Sequence, residues 1–379
     1  MSGGSMNISV VELVRQIHAA PSQIALTVSG GGGSAIGHLF EVPGGSRTLL
    51  MAWVPYAEKA LIHFLGARPE HFCSSATSRA MAMVTFQHAR ELASGDVEVA
   101  GVACTAGLVT DRPRAGPHHA FVAYQTLRET RTWGVELTKG ARSRPDEEDV
   151  VARLLLNAVA EFCGVEGRLE LPLLPGEELS EQRAVAPESW QRLLLGQAEC
   201  VFEGQANPVT GAILSGAFNP MHQGHRRMLE LGREILGLPV ALEISIRNVD
   251  KPPLDYIEIR RRLGQFPPEQ PVWLSRAATF EEKSRIFPCA TFLVGTDTLR
   301  RIADPKYSGG DESACRASLE RIAGRGCKFL VFGREIGSSF VRLSDLDLPD
   351  VLRAICREVP AEMFREGVSS TALRRAGLW

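Results

Sequence analysis

The sequence has almost no net charge, no long apolar run and no closely spaced pair of cysteines. Its 42 Lys and Arg residues face 44 Asp and Glu residues, and the resulting charge of −2 disfavours binding of nucleic acid through counterion release. No apolar run approaches the roughly 18 residues that span a bilayer, so we expect a soluble protein without membrane association. None of the eight cysteines forms a C-x-x-C pair, which argues against a zinc ribbon or a thioredoxin-like motif and favours reduced thiols in the cytoplasm.

The chain is long for a single core and shows no targeting segment. At about 100–200 residues per domain, 379 residues predict two domains. The first five residues, Met-Ser-Gly-Gly-Ser, lack the basic and apolar regions of an export signal, and we expect the natural chain to begin at Met6. With 44% apolar and 23% charged residues, the composition is that of a folded protein.

The first half alternates short β-branched runs with helical patterns, which predicts an α/β domain over residues 6–165. The predicted helices are 9–19, 58–65, 78–93 and 146–162, and the predicted strands are 24–28, 48–54, 97–104, 120–124 and 132–137. Residues 166–208 are rich in Pro, Glu and Gly around a helical patch at 189–202, which predicts a linker that contains a helix.

The second half, residues 209–379, predicts a separate domain with a Rossmann-like parallel sheet. The predicted strands are 212–215, 240–246, 291–294 and 328–332, and the predicted helices are 225–236 and 256–265, followed by a helical tail. Because helices separate most of the strands, crossover connections and hence parallel pairing are required. The predicted fold class is therefore α/β in both halves.

The strongest motif is Gly-Ala-Phe-Asn-Pro-Met-His-Gln-Gly-His at residues 216–225, between a predicted strand and an amphipathic helix. A turn at the carboxyl edge of a parallel sheet presents backbone N–H groups and a helix N-terminus to a phosphate group. His222 and His225 flank the helix start, so both imidazoles can converge on one phosphoryl group, and Gly224 between them permits close approach. One histidine alone would more often be structural, whereas this pair favours phosphate chemistry.

This decapeptide resembles the G-x-F-x-P-x-H-x-G-H signature of the HxGH nucleotidyltransferase superfamily, and with Asn219 it is most similar to nicotinamide mononucleotide adenylyltransferases. Residues 368–374, Val-Ser-Ser-Thr-Ala-Leu-Arg, are similar to the I-S-S-T-x-I-R element of that family. The resemblance implies that His222, His225 and Arg374 are catalytic. It also implies a set of nucleotide-binding residues, namely Gly216, Ala217, Phe218, Asn219, Gly224, Gly295, Asp297, Ser369, Ser370 and Thr371.

Two shorter segments extend the resemblance. Lys251 begins a Lys-Pro-Pro segment similar to the one by which bacterial members approach the mononucleotide, which implies acceptor binding; a solvated turn is the alternative. Asp297 belongs to a Gly-Thr-Asp segment and is implied to bind a ribose or adenosine hydroxyl. The basic run at 260–262 is more typical of a solvated helix face than of a phosphate site.

The reaction implied by the resemblance is attack by a phosphate oxygen of a pyridine mononucleotide on the α-phosphorus of ATP, which gives NAD or its acid form and pyrophosphate. Because the nucleophile is already an anion, alignment and charge neutralisation replace a general base. We expect His222, His225, Arg374 and a Mg²⁺ ion to supply positive charge, with the metal held by phosphates and water rather than by protein side chains. Two alternatives are a nucleotidyltransferase that uses ATP or CTP on another small phosphate or phosphonate acceptor, and a non-catalytic nucleotide-binding or scaffold protein.

Four consecutive glycines, residues 30–33, follow the predicted strand 24–28. Glycine costs chain entropy on folding, so the backbone here must turn sharply or approach another group closely. The run matches neither a P-loop nor a dinucleotide-binding fingerprint. An anion-binding turn and a structural corner both remain open.

Through this run, residues 42–46 and Tyr56, the segment 9–165 resembles the CinA C-terminal domain, a family that contains nicotinamide mononucleotide deamidases. The resemblance implies a second site formed by Thr27, Ser29, Gly30, Gly31, Tyr56 and Lys59. Thr27 stands where the family has its catalytic serine, and Leu61 stands where it has a lysine, with Lys59 two positions early. Because a hydroxyl nucleophile needs a base within reach, we predict a domain that keeps this fold without deamidase chemistry. Both resemblances imply a homo-oligomer.

Overall fold

A computed structural model of the protein describes residues 8–112, 115–247, 253–308, 310–336, 339–365 and Leu373. Within that part of the chain, one unit comprises the residues up to Pro187 together with 253–258, and the other comprises the remaining residues from Glu188 onward. Each unit contains a β-sheet with helices packed on it. The predicted α/β fold class is confirmed.

The first unit is built on a mixed sheet with the strand order β2-β1-β3-β4-β5-β6. Its strands are β1 Gln23–Ser29, β2 Leu49–Trp53, β3 Val99–Gly107, β4 His118–Gln125, β5 Glu129–Leu137 and β6 Leu179–Val185. Its helices are α1 Val10–Ala19, α2 Gly33–Glu41, α3 Gly45–Thr48, α4 Glu58–Leu65, α5 Ser75–Leu92 and α6 Arg144–Phe162. β1 pairs in parallel with β2 and β3, and the other pairs are antiparallel.

Helix α6 shows how local sequence and packing combine in this unit. Ser143 caps the helix by accepting the N–H of Asp146, whose carboxylate accepts the N–H of Ser143 in return. Such a cap is worth about 1 kcal/mol. The apolar face of α6, including Val151 and Leu155, lies in the core that also contains Leu26 of β1. This packing fixes which residues at the start of α6 lie near the carboxyl end of β1.

The second unit is built on a sheet with the strand order β15-β12-β11-β8-β9-β10-β7. The remaining strands are β7 Cys200–Glu203, β8 Ala212–Ser215, β9 Ala241–Ser245, β10 Val272–Ser275, β11 Thr291–Gly295, β12 Lys328–Phe332, β13 Arg334–Ile336, β14 Ser339–Val341 and β15 Cys356–Glu358. The remaining helices are α7 Glu188–Leu195, α8 Gln223–Leu236, α9 Tyr256–Leu263, α10 Phe280–Ile286, α11 Thr296–Ala303, α12 Glu312–Gly324 and α13 Asp350–Arg353. Neighbouring strands of this sheet are parallel except for β10 and β7, and β13 and β14 form a separate antiparallel hairpin.

Several local predictions are wrong. The helix predicted at 189–202 ends at Leu195, because Gly196 turns the chain with φ +78°, and β7 follows as an edge strand. The segment predicted as a linker thus contributes β6 to one sheet and β7 to the other. The predicted helical tail contains β13, β14 and β15, three-residue strands that are too short to show a periodic pattern.

Candidate functional site

The second sheet reverses its strand order between β8 and β11. From β8 the chain adds β9 and β10 on one side, and then crosses over to build β11, β12 and β15 on the other. In open α/β sheets, ligands bind outside the carboxyl ends of the strands at such a switch point. The turn 216–222 follows β8, and the segment 295–297 ends β11 and begins α11. Two of the predicted motifs therefore lie at the position where this fold binds ligands.

The turn after β8 has an uncommon backbone conformation. Phe218 is buried and adopts φ +44°, a region that bulky residues rarely occupy. A Cβ added to Gly216 would lie 2.8 Å from the Phe218 ring, so glycine is required beside this ring. The peptide bond between Asn219 and Pro220 is cis. A positive φ at a buried aromatic residue such as Phe218 persists where surrounding groups hold it, and such conformations concentrate at functional sites.

Side chains from the α9 region hold this turn in place. The Nε2 of Gln265 donates to the carbonyl oxygen of Phe218 at 2.9 Å, and its Oε1 accepts the N–H of Met221 at 2.8 Å. The guanidinium of Arg262 donates to the carbonyl oxygen of Ala217 at 2.9 Å. Three backbone groups of the turn are therefore bonded by two side chains.

The expectation that the basic run 260–262 forms a solvated helix face is wrong for Arg262, which is only 6% exposed. Arg261 also faces the turn, where it contacts the Oδ1 of Asn219. Sequence reasoning missed Gln265 altogether. The available signal was spacing, because residues three and four apart on a helix share a face and Gln265 follows Arg261 and Arg262 by those distances.

The two imidazoles of the motif lie against each other. The rings of His222 and His225 stack with centroids 3.8 Å apart, and the edge of Phe218 packs on His225 at 5.1 Å. The N–H of His222 donates to the Nδ1 of His225 at 3.4 Å. In the neutral ring of His225, the proton therefore resides on Nε2, which can donate to a ligand. Gly224 is buried in the first turn of α8.

Burial disfavours the charged form of both imidazoles. Burial and the nearby charge of Arg334 lower the pKa of His222. Burial first, and then His222 and Arg334, lower the pKa of His225 to about 3. Two imidazolium rings stacked at this distance would also repel each other. Burial thus disfavours positive charge on this pair in the ligand-free protein, and the role of the pair at a phosphoryl group stays a prediction.

The adjacent strand ends carry an acidic and a basic group. Asp297, in the first turn of α11, forms an ion pair with Arg334, which follows β12. A Cβ added to Gly295 would lie 2.7 Å from the Oδ1 of Asp297, so glycine leaves room for this carboxylate. Sequence reasoning identified Asp297 but not Arg334, because an isolated arginine in a three-residue strand carries no pattern.

Three buried polar atoms at this edge have no hydrogen-bond partner among the described residues. They are the Oγ of Ser215 at the end of β8, the Nδ1 of His222 and the Oγ1 of Thr296 at the start of α11. Buried polar atoms are nearly always bonded in folded proteins. Unpaired donors and acceptors at a switch point fit a site that binds a polar ligand.

The other residues predicted for this site are not placed by the structure. Lys251, Ser369, Ser370, Thr371 and Arg374 lie outside the described residues. Among the residues that are described, no three His, Cys, Asp or Glu side chains lie close enough together to hold a metal ion. A depression of about 630 Å³ lies at the opposite, amino ends of β8, β9 and β10, lined by Val209, Val240 and Pro271 among others, away from the histidines.

The backbone N–H groups at the glycine run of the first unit donate to a carboxylate of the same unit. The carboxylate of Glu148, in α6, accepts the N–H groups of Gly32 and Ser34 at 3.1 Å each. Gly30 adopts φ +80°, and a Cβ there would lie 2.0 Å from the carbonyl oxygen of Ala106. The turn is therefore a tight structural corner whose N–H groups already bind an anion, the side chain of Glu148.

The residues predicted for chemistry in the first unit do not form a catalytic group. Thr27 is fully buried, and its hydroxyl bonds that of Thr85 at 2.6 Å, while Lys59 is exposed on α4. The hydroxyl of Ser29 donates to the carbonyl oxygen of Pro55 at 3.0 Å. In this structure Thr27 is therefore inaccessible to a substrate.

A cavity of about 480 Å³ remains beside the glycine corner. Its lining includes Gly30, Gly31, Tyr56, Arg144 and Glu148. The ring of Tyr56 is exposed, whereas Arg144 donates hydrogen bonds to the carbonyl oxygens of Gly30 and Val109.

Among the described residues, no helix combines the length and the apolar character that crossing a membrane requires.

Comparisons with known proteins give only weak structural likenesses. No protein-family profile matches the chain, and no curated protein matches its sequence significantly. The competence/damage inducible protein CihA from Agrobacterium tumefaciens is 19% identical, with 42% of this chain and 98% of that chain covered and a TM-score of 0.30. A competence or damage-inducible protein from Enterobacter asburiae is 17% identical, with 42% and 100% covered and a TM-score of 0.32. The competence-damaged protein (CinA) superfamily protein from Enterobacter cloacae is 19% identical, with 44% and 99% covered and a TM-score of 0.33. The third of these structures bears the CinA name, but likenesses at this level assign neither a family nor an activity to the chain.

Proposed function

We propose that the second unit transfers a nucleotidyl group from Mg-ATP to a phosphate acceptor and releases pyrophosphate. The observation that carries the proposal is the position of the stacked histidine pair, at a helix start on the switch point of the parallel sheet. Neutral N–H donors and backbone N–H groups at a helix N-terminus suit an anionic phosphate chain.

In the proposed reaction, an acceptor phosphate oxygen forms a bond to the α-phosphorus of ATP as the bond to the β-phosphate bridge oxygen breaks. The acceptor is already an anion, so no base must remove a proton. The Nε2–H of His225 donates to a phosphoryl oxygen, and His222 is the second donor beside it. Magnesium enters with the nucleotide, held by phosphate oxygens and water, as part of the substrate.

The favoured acceptor is a pyridine mononucleotide, which makes the product NAD or its acid form. This choice depends on the sequence resemblance of the decapeptide and of residues 251–253 and 368–374 to the adenylyltransferases of this substrate. We further propose that Lys251 contacts the acceptor and that Arg374, Ser369, Ser370 and Thr371 bind the phosphates of ATP.

The test is pyrophosphate release by the full chain with ATP or CTP across a panel of acceptors: both pyridine mononucleotides, phosphopantetheine, choline phosphate and a phosphonate. Release with ATP and a pyridine mononucleotide supports the proposal in full. Release with CTP or with another acceptor keeps the reaction class and changes the substrate. Nucleotide binding without release for any pair would favour a sensor or scaffold and overturn the proposal.

For the first unit, we propose a non-hydrolytic role. The burial of Thr27 supports this proposal, because an acyl-transfer nucleophile must be accessible to its substrate. The test is ammonia release from nicotinamide mononucleotide by the full chain. We expect no release from the wild-type chain. Release would contradict the proposal, and its survival in Thr27→Val would show that another group is the nucleophile.

A further inference from the structure

Arg334 lies at the same edge of the sheet as the histidine pair. It follows the last parallel-paired residue of β12 and begins β13, where it pairs with Val341 of the hairpin. A Cβ added to Gly333 would lie 2.4 Å from the ring of Phe340, so the hairpin folds tightly against the end of β12. The backbone of Arg334 is therefore held by strand pairing.

The guanidinium of Arg334 contacts the carboxylate of Asp297, and each side chain is about one third exposed, at 34% and 33%. An ion pair with this exposure gains little stability of its own and can be exchanged for another anion. Arg334 and the histidine pair follow the carboxyl ends of β12 and β8, which lie on either side of β11 in the sheet, and the charge of Arg334 contributes to lowering the pKa of both imidazoles.

We propose that Arg334 binds the phosphate chain of the nucleotide and that Asp297 holds its guanidinium at the site until the nucleotide arrives. This inference rests on the proposed function. Its physical basis is position and charge: a partly exposed guanidinium lies at the sheet edge where the Ser215 Oγ, the His222 Nδ1 and the Thr296 Oγ1 have no partner among the described residues, and it can neutralise negative charge that develops on pyrophosphate. A guanidinium suits this role because it stays protonated and can bond two phosphate oxygens at once.

Exchange of Asp297 for phosphate as the partner of Arg334 also reconciles the two roles of Asp297, binding of a nucleotide hydroxyl and pairing with Arg334. The resemblance implies that this carboxylate binds a ribose or adenosine hydroxyl, yet here its Oδ2 contacts Arg334. When the phosphate chain takes the guanidinium, the carboxylate oxygen becomes available to a hydroxyl of the same nucleotide. Asp297 acts as a positioning residue for Arg334 before binding.

The experiment measures binding of AMP, ADP, ATP and inorganic pyrophosphate by calorimetry to the full chain and to Arg334→Gln. The matched control is Arg301→Gln, which removes an exposed arginine at the far end of α11. If Arg334 forms a charge-assisted hydrogen bond to phosphate, the affinity of Arg334→Gln for ATP and pyrophosphate should fall about 10- to 100-fold, and its affinity for AMP much less. Arg334→Lys keeps the charge and should restore part of the loss. Asp297→Asn keeps an acceptor oxygen that can hold the guanidinium in place but removes the negative charge that competes with phosphate, so pyrophosphate should bind at least as tightly.

The outcomes separate this inference from the proposed function. If the wild-type chain transfers a nucleotidyl group but Arg334→Gln binds all four ligands as the wild type does, only the inference fails. If Arg334→Gln loses affinity for AMP, ADP and ATP to the same extent, the role of Arg334 is structural and the inference is overturned. Weaker pyrophosphate binding by Asp297→Asn would also overturn the inference. If the wild-type chain binds no nucleotide at all, the proposed function fails and this inference with it. Circular dichroism and thermal unfolding of each variant confirm that the fold is retained.

Discussion

The two units each place a turn between a parallel strand and a helix, and the two turns differ in what their donors face. In the first unit, the glycine corner after β1 gives its N–H groups to Glu148. In the second, Gln265 and Arg262 bond the backbone of the turn after β8, and the Nδ1 of His222 at the end of that turn has no partner in the part of the chain that the structure describes. A glycine-rich turn is therefore no sign of ligand binding by itself. What distinguishes a site is polar groups left unsatisfied by the protein.

Among the changes that test this difference between the two turns, Gly30→Ala is expected to have the largest effect, a loss of stability. The new Cβ would meet the Ala106 carbonyl oxygen, which is backbone and cannot move freely, so we expect a loss of about 4 kcal/mol in unfolding free energy or a failure to fold. Gly140→Ala is the matched control, since Gly140 has the same φ of +80° but no atom within 4 Å of an added Cβ, and it should cost only about 1 kcal/mol. Urea unfolding of both variants measures the difference, and equal losses would show that the corner is not tightly packed.

The second prediction concerns the other turn. His225→Ala removes a donor proposed to act on the reacting phosphate, and we expect turnover to fall about 10²- to 10³-fold. His63→Ala, at an exposed position in the first unit, should leave turnover unchanged. Initial rates of pyrophosphate release at saturating ATP provide the measurement. Full activity in His225→Ala would contradict the proposal that the turn after β8 acts on phosphate whereas the glycine corner is structural.

A smaller effect is expected from Glu148→Ala. Two backbone N–H groups lose their acceptor, so the unfolding free energy should fall by about 2 kcal/mol while pyrophosphate release is retained. Asp149→Ala is the control on the same helix, because Asp149 pairs only with Arg153 at the surface and should cost about 0.5 kcal/mol or less. Loss of transfer activity in Glu148→Ala, with the fold intact, would contradict a purely structural corner.

The smallest predicted effect is a pH dependence carried by the histidine pair. The pKa of His225 is about 3 in the folded protein against an ordinary 6.5, so the stabilisation from keeping the ring neutral is complete above pH 6.5 and is lost as the pH falls toward 3. Between pH 6.5 and 5, the unfolding free energy should fall by up to about 1.4 kcal/mol per pH unit, and the lowered pKa of His222 acts in the same direction. Urea unfolding at several pH values tests this slope. It should become shallower in His225→Gln and stay unchanged in His63→Gln; the same slope in all three proteins would show that His225 is not the buried titrating group.

Local patterns predicted much of the fold. The strands at 212–215 and 328–332 and the helix at 58–65 match the structure because each combines a strong apolar pattern with clear breakers at both ends. β10 and the three-residue strands were missed since a short strand is defined by its neighbours in the sheet rather than by its own residues. For the candidate site, the pattern identified His222, His225 and Asp297, while Gln265 and Arg334 became visible only through their contacts.

By itself, the sequence determined where several of the buried strands lie and that two histidines stand at the start of the helix after one of them, because apolar periodicity and motif spacing are properties of neighbouring residues. Only the tertiary structure decided which charges meet. Glu148 reaches the glycine corner across 116 residues of chain, and Arg334 meets Asp297 across 37. Those pairings follow from how helices and strands pack over long chain separations, which no local pattern records.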